Sequence, residues 1–350
     1  MTRTTYHTPS AKWRLNNILV TAMAVLAMTI SSSTVAIGIG IEGSVKGIPL
    51  PSWQEQAQYT QLSGHNIAYW QAGNPKNDTL VLVHGFPSAA WDWQYQWQAL
   101  SKKYHVVALD LLGFGLSDKP KEYAYTINEQ ADLVTGLAKQ LNIKQYHLLS
   151  HDYGITVTQE ILRRHNKSEL TGKGFLLSLC ILNGGAFPEA QKHPIGMRLL
   201  NSFLGPYLVK LYNRTSFDRN FSAIFGENTQ PTNEQLDGLW QLILQQDGPN
   251  AFPNIIHYVN EKDQYRDTWV GAMENASIPM RAIIGTADVL AGENMLERYE
   301  ALIKNPDVVR LKDIGHYPQL EAPQAVLTAY LKFLSSIGNA KKLAIAQSNQ

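Results

Sequence analysis

Cysteine is nearly missing from this chain of 350 residues: the only one is Cys180. One cysteine excludes an intramolecular disulfide in any compartment, and it excludes the paired thiolates of a structural zinc site. Cys180 stands inside the apolar run Leu176 to Leu182, where a packed strand thiol is expected rather than a reactive one. An excess of charge is lacking too. There are 30 basic and 29 acidic residues, a net charge of +1, and no basic block, which argues against a nucleic-acid partner. No metal-binding motif appears, so neither metal nor cofactor is expected. There is no internal repeat, and no low-complexity tract apart from the tail Asn339 to Gln350, which is expected to fray.

What the chain does have is a normal apolar content of 44%, enough for a sizeable core. Its length fits one large domain carrying an inserted subdomain. From Ile18 to Ile41 no residue is charged, while Arg3, Lys12 and Arg14 precede the run. About 20 apolar residues as helix cross a bilayer core, so 18–41 is read as a membrane anchor behind a short basic segment, 1–17. The positive charges upstream place the N-terminus in the cytoplasm and the folded domain on the other side. Ser31 to Thr34 leave a second reading, a secretory signal, open; cleavage would give a secreted or periplasmic protein. Residues 42–55, within a Gly- and Pro-containing stretch, read as a linker.

Beyond the linker, strand and helix patterns alternate. Gln58 to Leu62 and Asn66 to Gln71 form a hairpin, and Thr79 to Val83, Val106 to Leu109 and His147 to Ser150 are short apolar strands. Leu176 to Leu182, Met280 to Ile284 and Val308 to Leu311 continue the series. Thr126 to Leu141, Ile155 to Arg164 and Ala325 to Leu334 have helical spacing. The expected fold is α/β: a mainly parallel, doubly wound sheet covered on both faces, formed by 56–185 and 277–338. Between them the strand series stops, and 186–276 reads as a helical cap over the carboxyl ends of the strands, where the ligand crevices of such sheets lie.

The chemistry gathers at those ends. In Leu148-Leu149-Ser150-His151-Asp152-Tyr153-Gly154 a buried strand runs into a helix through a tight turn with small flanking residues. That is the nucleophile elbow, which pushes its central side chain, here Asp152, into the pocket. Asp152 alone would also suit the cap of the following helix. The residues after it decide for chemistry, because nucleophile, acid and histidine occur in the order this architecture requires. Asp288 follows the strand ending at Ile284, and His316 follows the last strand in Gly315-His316-Tyr317-Pro318. Asp313 and Glu293 are nearby carboxylates that compete with Asp288, and Asn183 takes the place of another acid position without a charge. In His84-Gly85-Phe86-Pro87 the backbone amide of Phe86, with that of Tyr153, is expected to form an oxyanion hole. His84 reads foremost as a structural hydrogen-bonder; His84 and His151 are carried as candidates for the pocket wall. A carboxylate nucleophile displaces a leaving group from an sp³ carbon and forms an ester, which water activated by His316 hydrolyses while Asp288 orients the imidazole.

Taken together, His84 to Pro87, Asp110 to Pro120 with Gly113-Phe114-Gly115, and His151 to Gly154 resemble the epoxide hydrolase and haloalkane dehalogenase branch of the α/β-hydrolases. Ser150 to Gly154, Asn183-Gly184-Gly185, Phe187-Pro188-Glu189, Trp269 to Ala272 and His316 to Glu321 look like the mesoderm-specific transcript protein family within it. The resemblance covers about Tyr59 to Leu334. It implies an α/β-hydrolase fold and, where the halide-binding residues of dehalogenases would stand, Phe86 and Tyr153 here argue for epoxides. Tyr265 resembles a cap tyrosine that protonates the opening ring; Tyr207 and Tyr212 are more simply packed cap residues. Ile155 departs from the second Gly usual in epoxide hydrolases. The expectation is an epoxide hydrolase-like enzyme acting on an apolar small molecule, with a haloalkane dehalogenase and a non-catalytic binding domain as alternatives. Nothing in the residues sets an oligomeric state.

Overall fold

The computed structural model describes residues 45–169 and 172–348. Eight strands form one sheet in the order β1-β2-β4-β3-β5-β6-β7-β8. They are β1 (Gln58–Leu62), β2 (His65–Ala72), β3 (Thr79–Val83), β4 (His105–Leu109), β5 (Tyr146–Ser150), β6 (Leu176–Ile181), β7 (Met280–Gly285) and β8 (Val308–Leu311). β1, β2 and β4 pair antiparallel, and every other neighbour is parallel. β3, β4 and β5 are buried at every position, as strands covered on both faces must be. All eight elements coincide with the sequence reading to within a residue or two.

Between β6 and β7 there is no strand, and helices fill the stretch, among them Ile195–Leu200, Arg214–Ser222, Asn233–Leu244, Tyr258–Gln264 and Arg266–Glu274. Two of them start with capping boxes, Asn213 with Ser216 and Thr232 with Gln235. The inserted helices are fastened to the core through the helix Tyr153–Glu169. The indole of Trp269 donates to Glu160 Oε2 at 2.9 Å, and Gln159 Nε2 donates to the Ala186 carbonyl at 2.9 Å.

Two expectations need correction. Residues 42–55 are not all linker: Ile48, Leu50 and Trp53 are buried, and Leu50–Glu55 is a helix. Trp53 lies 5.0 Å from both Trp70 and Trp97, and its carbonyl accepts from the Trp70 indole at 2.7 Å. The Gly and Pro content pointed to a tether, but Trp53 stacks on Trp70 of β2 and Ile48 and Leu50 are buried near it in sequence. The tail does not fray at Asn339 either, because the closing helix Pro323–Ser348 continues through it. Ala, Lys, Leu and Gln dominate those residues and are strong helix formers. The anchor expected over 18–41 falls outside the described residues. Among the described residues, no helix is long and apolar enough to cross a membrane.

Candidate active site

β5 ends at Ser150, and the next helix begins at Tyr153, so the chain must reverse within two residues. Asp152 does this with φ of 47°, a left-handed backbone that a non-glycine residue adopts at a cost of about 1–3 kcal/mol. The crowding explains the small neighbours. A side chain at Gly154 would meet the carbonyl oxygens of Val83 and His84 at 2.6 Å, and one at Gly85 would meet Asp152 Cβ at 2.7 Å.

The two carboxylate oxygens of Asp152 face different partners. Oδ1 accepts from the Phe86 amide at 3.0 Å, and Oδ2 lies 3.3 Å from His316 Nε2. The amide of Tyr153 follows on the next residue, at the start of the helix. On the far side of the imidazole, His316 Nδ1 is 2.7 Å from Asp288 Oδ2. Asp288 also accepts from Asn183 Nδ2 at 2.9 Å and from the Leu290 amide at 2.8 Å. Asn183 in turn accepts from the Gly285 amide at 2.7 Å, so it locks the end of β7. The structure therefore brings Asp152, His316 and Asp288 into one row, with Phe86 at one end. Glu293 and Asp313 are excluded from it: Glu293 pairs with Arg310 at 2.9 Å, and Asp313 sits in a turn with φ of 62°.

Burial makes these charges matter. Asp152 and Asp288 are each 6% exposed, and His316 is 1% exposed. Burial would raise the pKa of Asp152, but the hydrogen bond and charge of His316 outweigh it and hold the carboxyl far below its usual range. For His316, burial pulls downward, and the charges of Asp288 and Asp152 overcome it, so the imidazole is held protonated well above its ordinary value. The three groups therefore favour a charged imidazole between charged carboxylates.

Three sequence candidates fall elsewhere. His84 is fully buried; its Nε2 accepts from the Leu111 amide at 3.0 Å, and its Nδ1 meets the Gly85 carbonyl at 2.8 Å, so it is a brace for the turn and not a pocket wall. His151 is also fully buried, with Nε2 2.8 Å from the His316 carbonyl. Burial and the neighbouring His316 push its pKa down to about 3, so it stays neutral and ties the elbow to the histidine loop. Tyr265 lies half-exposed between two cap helices, its ring 5.3 Å from Trp269, and no ring contact or hydrogen bond joins it to the triad among the described residues. Tyr212 packs its ring against Trp240 and Phe252 as expected, whereas Tyr207 is exposed.

Residues that sequence reasoning passed over stand in their place. Tyr258 is buried with its ring edge-on to Tyr153, centroids 4.7 Å apart. One turn later, Lys262 is 3% exposed, places Nζ 5.7 Å from the Tyr258 ring centre, and donates to Gln191 Oε1. No carboxylate lies within ion-pair distance of Lys262 among the described residues. Burial lowers its pKa to about 8, partly offset by the charge of Asp152. The signal was in the sequence: Tyr258 and Lys262 are spaced i, i+4 and share a helix face. On the histidine loop, Glu321 accepts from the amides of Gly226, Gly315 and Tyr317 at 2.8, 2.7 and 2.9 Å, fixing the loop to the cap.

Residues 80–329 match the alpha/beta hydrolase family. The chain belongs to that family. The mesoderm-specific transcript protein of Mus musculus is 38% identical over 298 residues, 82% of this chain and 88% of the relative. Among solved structures, the haloalkane dehalogenase DbeA-M1 loop variant from Bradyrhizobium elkanii superposes with a TM-score of 0.69 at 17% identity, over 82% of this chain and 99% of the other. The epoxide hydrolase CorEH does so with a TM-score of 0.68 at 19% identity, over 80% and 99%. The chain therefore shares the alpha/beta hydrolase fold of these solved structures.

Proposed function

We propose that this hydrolase opens epoxides of apolar substrates through an ester on Asp152. One observation carries the reading: the elbow residue is an aspartate whose Oδ1 already occupies the Phe86 amide while Oδ2 faces His316. In the first step Oδ2 attacks a ring carbon, the C–O ring bond breaks, and its electron pair stays on the ring oxygen. That oxygen takes a proton from Tyr258, beside which the Lys262 ammonium supports the developing charge. The charge of Asp152 is then gone, so His316 loses part of what kept it protonated and passes that proton through solvent to the Tyr258 phenolate. A neutral His316 removes a proton from water, the water oxygen attacks Asp152 Cγ, and the charge that appears on Oδ1 falls to the amides of Phe86 and Tyr153. Collapse breaks the Cγ–Oδ2 ester bond, the diol oxygen takes a proton from His316, and the new Asp152 carboxyl returns its own proton to His316, which restores the carboxylate and imidazolium.

Lys262 supports this role by its cost. A buried ammonium without a carboxylate partner weakens a fold unless the site uses it. The aromatic surroundings of the site, Phe86, Phe114, Phe252 and Tyr258, fit an apolar substrate, and none of them offers the polar cradle a departing halide needs. Location belongs to the same proposal: 18–41 anchors the chain in a membrane, with the hydrolase domain on the non-cytoplasmic side.

The test is intact-protein mass spectrometry of His316→Gln after incubation with a panel of apolar epoxides and alkyl halides. Without the base the ester should persist, adding the mass of the whole epoxide on the peptide containing Asp152. Addition of an alkyl group with release of halide would replace the proposal with dehalogenation. No adduct from any folded sample would favour a domain that binds without catalysis.

A further inference from the structure

Four aspartates are buried among the described residues, and one of them is held unlike the others. Asp110 accepts from the amides of Ala90 and Leu116, both at 2.7 Å. Asp152 accepts from the Phe86 amide and faces His316, and Asp288 accepts from Asn183, the Leu290 amide and His316. Each of these three has N–H groups to answer a negative charge. Asp92, on the single helical turn Ala90–Trp93, is fully buried and has none. Its Oδ2 meets the Ser88 hydroxyl at 2.5 Å, and its Oδ1 has no hydrogen-bond partner among the described residues. A buried carboxylate held so sparsely is strongly destabilised, and a proton removes the penalty.

The contacts of Asp92 can be counted proton by proton. Ser88 Oγ lies 2.5 Å from Asp92 Oδ2 and 3.2 Å from the Gly85 carbonyl, two acceptors for one hydroxyl proton. With a proton on Oδ2, Asp92 donates to Ser88 and Ser88 donates to Gly85, one donor for each link. Beside this chain, His151 Nδ1 is 3.9 Å from Asp92 Oδ2 and has no hydrogen-bond partner. Its Nε2 is 2.8 Å from the His316 carbonyl, which can only accept, so the ring proton is on Nε2 and Nδ1 is bare. A charged Asp92 would draw that proton to Nδ1 or add a second one there; a neutral Asp92 leaves it in place. Burial, then the charges of Asp110 and Asp152, push the Asp92 pKa well above the usual carboxylate range, against the Ser88 hydrogen bond and the charge of His316. The Tyr317 phenol on the same side is kept neutral by burial.

We infer that Asp92 is a protonated positioning residue for His316, holding the His151 tautomer whose Nε2–H grips the histidine loop. Through Ser88 and Gly85 the same neutral acid braces the turn that presents the Phe86 amide. One proton thus serves both loops that meet Asp152. The His316 amide donates to the Ile224 carbonyl at 2.8 Å, and the His316 carbonyl accepts from His151, so loss of the second contact would loosen the imidazole from its row.

The test uses the full chain. The infrared difference between wild type and Asp92→Asn at pH 7 should show a protonated carboxyl C=O band lost from wild type and no carboxylate band lost. A second measurement needs no variant. Ser150-His151 is the only Ser-His pair in the sequence, so serine carbonyl and histidine nitrogen labels assign this ring by NMR. At pH 7 the ring should be neutral with its proton on Nε2. The positioning role is read from the far-downfield proton between His316 Nδ1 and Asp288, 2.7 Å apart. It should stay sharp in Asp92→Asn, whose amide still donates to Ser88 without a charge, and broaden by exchange in Asp92→Leu, which donates nothing. Ester hydrolysis in Asp92→Leu should slow by about 10-fold or more, and this readout alone rests on the proposed function. A lost carboxylate band, or a His151 ring protonated on Nδ1 or on both nitrogens, would overturn the inference and make Asp92 and His151 a buried ion pair. A His316 proton that stays sharp in Asp92→Leu, or broadens in Asp92→Asn, would overturn the positioning role of the neutral acid.

Discussion

The two walls of the candidate active site are built on opposite principles. On the core side the groups in the row have fixed partners: Asp288 is held by Asn183 and Leu290, His316 by Asp288, and the histidine loop by Glu321. On the cap side a lysine is buried with only an amide oxygen and an aromatic face for company. A wall in which each charge is answered can hold reacting groups to a fraction of an ångström. A wall with an unanswered cation is waiting for negative charge, which the proposed ring opening would deliver. The contrast teaches that fixed partners belong to the Asp152 side, and in the proposed reaction charge capture would fall to the cap.

The comparison is broken most directly at its centre. Asp152→Asn keeps the shape of the elbow and removes the attacking charge, so epoxide turnover should fall by at least about 10³-fold, measured at substrate saturation. Unchanged turnover would mean that neither wall serves this chemistry. Asp288→Asn should reduce turnover by about 10²–10⁴-fold, but at a different step. The imidazole would lose its orientation and its charge partner, so ester hydrolysis should slow while ester formation continues. Rapid-quench mass spectrometry should find alkylated protein accumulating in this variant. A slowed alkylation instead would place Asp288 outside the hydrolytic half-reaction.

Asp152, Asp288 and His316 were legible because a strand ending, a tight turn and chain order are properties of sequence, and backbone crowding forces the small residues that mark the elbow. β3 to β8 were legible as short, largely apolar runs, and β1 and β2 as a hairpin. The cap side was not. Tyr265 has the right kind of side chain at a familiar distance from the end of the cap, yet the packing of Trp269 on Glu160 turns it outward. Tyr258 points inward because its helix buries the face it shares with Val259 and Lys262. Which face of a short amphipathic helix is buried depends on its neighbours, and no local pattern states it. Trp53 makes the same point: its neighbours Gly47, Pro49 and Pro51 read as a loop, and only the stack on Trp70 makes it core.

That stack gives a further measure of how far the core extends. Trp53→Ala removes a side chain that is 1% exposed and leaves the indole of Trp70 without its stacking neighbour. The expected loss is about 3–5 kcal/mol of stability, read from urea unfolding followed by tryptophan fluorescence. A loss below about 1 kcal/mol would return residues 48–55 to the status of a linker.

The smallest effects, and the sharpest for the comparison, concern Lys262. Its pKa lies near 8 in the folded chain against 10.5 for a free lysine, so the unfolded chain binds the proton more tightly. Folding therefore pays about 3 kcal/mol below pH 8, and that cost fades as pH rises from 8 toward 10.5. Lys262→Met should accordingly stabilise the protein at pH 7 by up to that amount, with the gain over wild type shrinking across the same window in urea titrations. Turnover should move the other way. The ammonium that supports the opening ring is present below pH 8, so the wild-type alkylation rate should decline as pH passes through that value. In Lys262→Met this rate should be lower by about 10–10²-fold at pH 7 and should lose the alkaline limb. Tyr258→Phe should lower the same rate while keeping that limb, since the lysine remains. A Lys262→Met variant that is more stable and equally active would reduce the lysine to a structural accident and leave the cap wall with no electrostatic role.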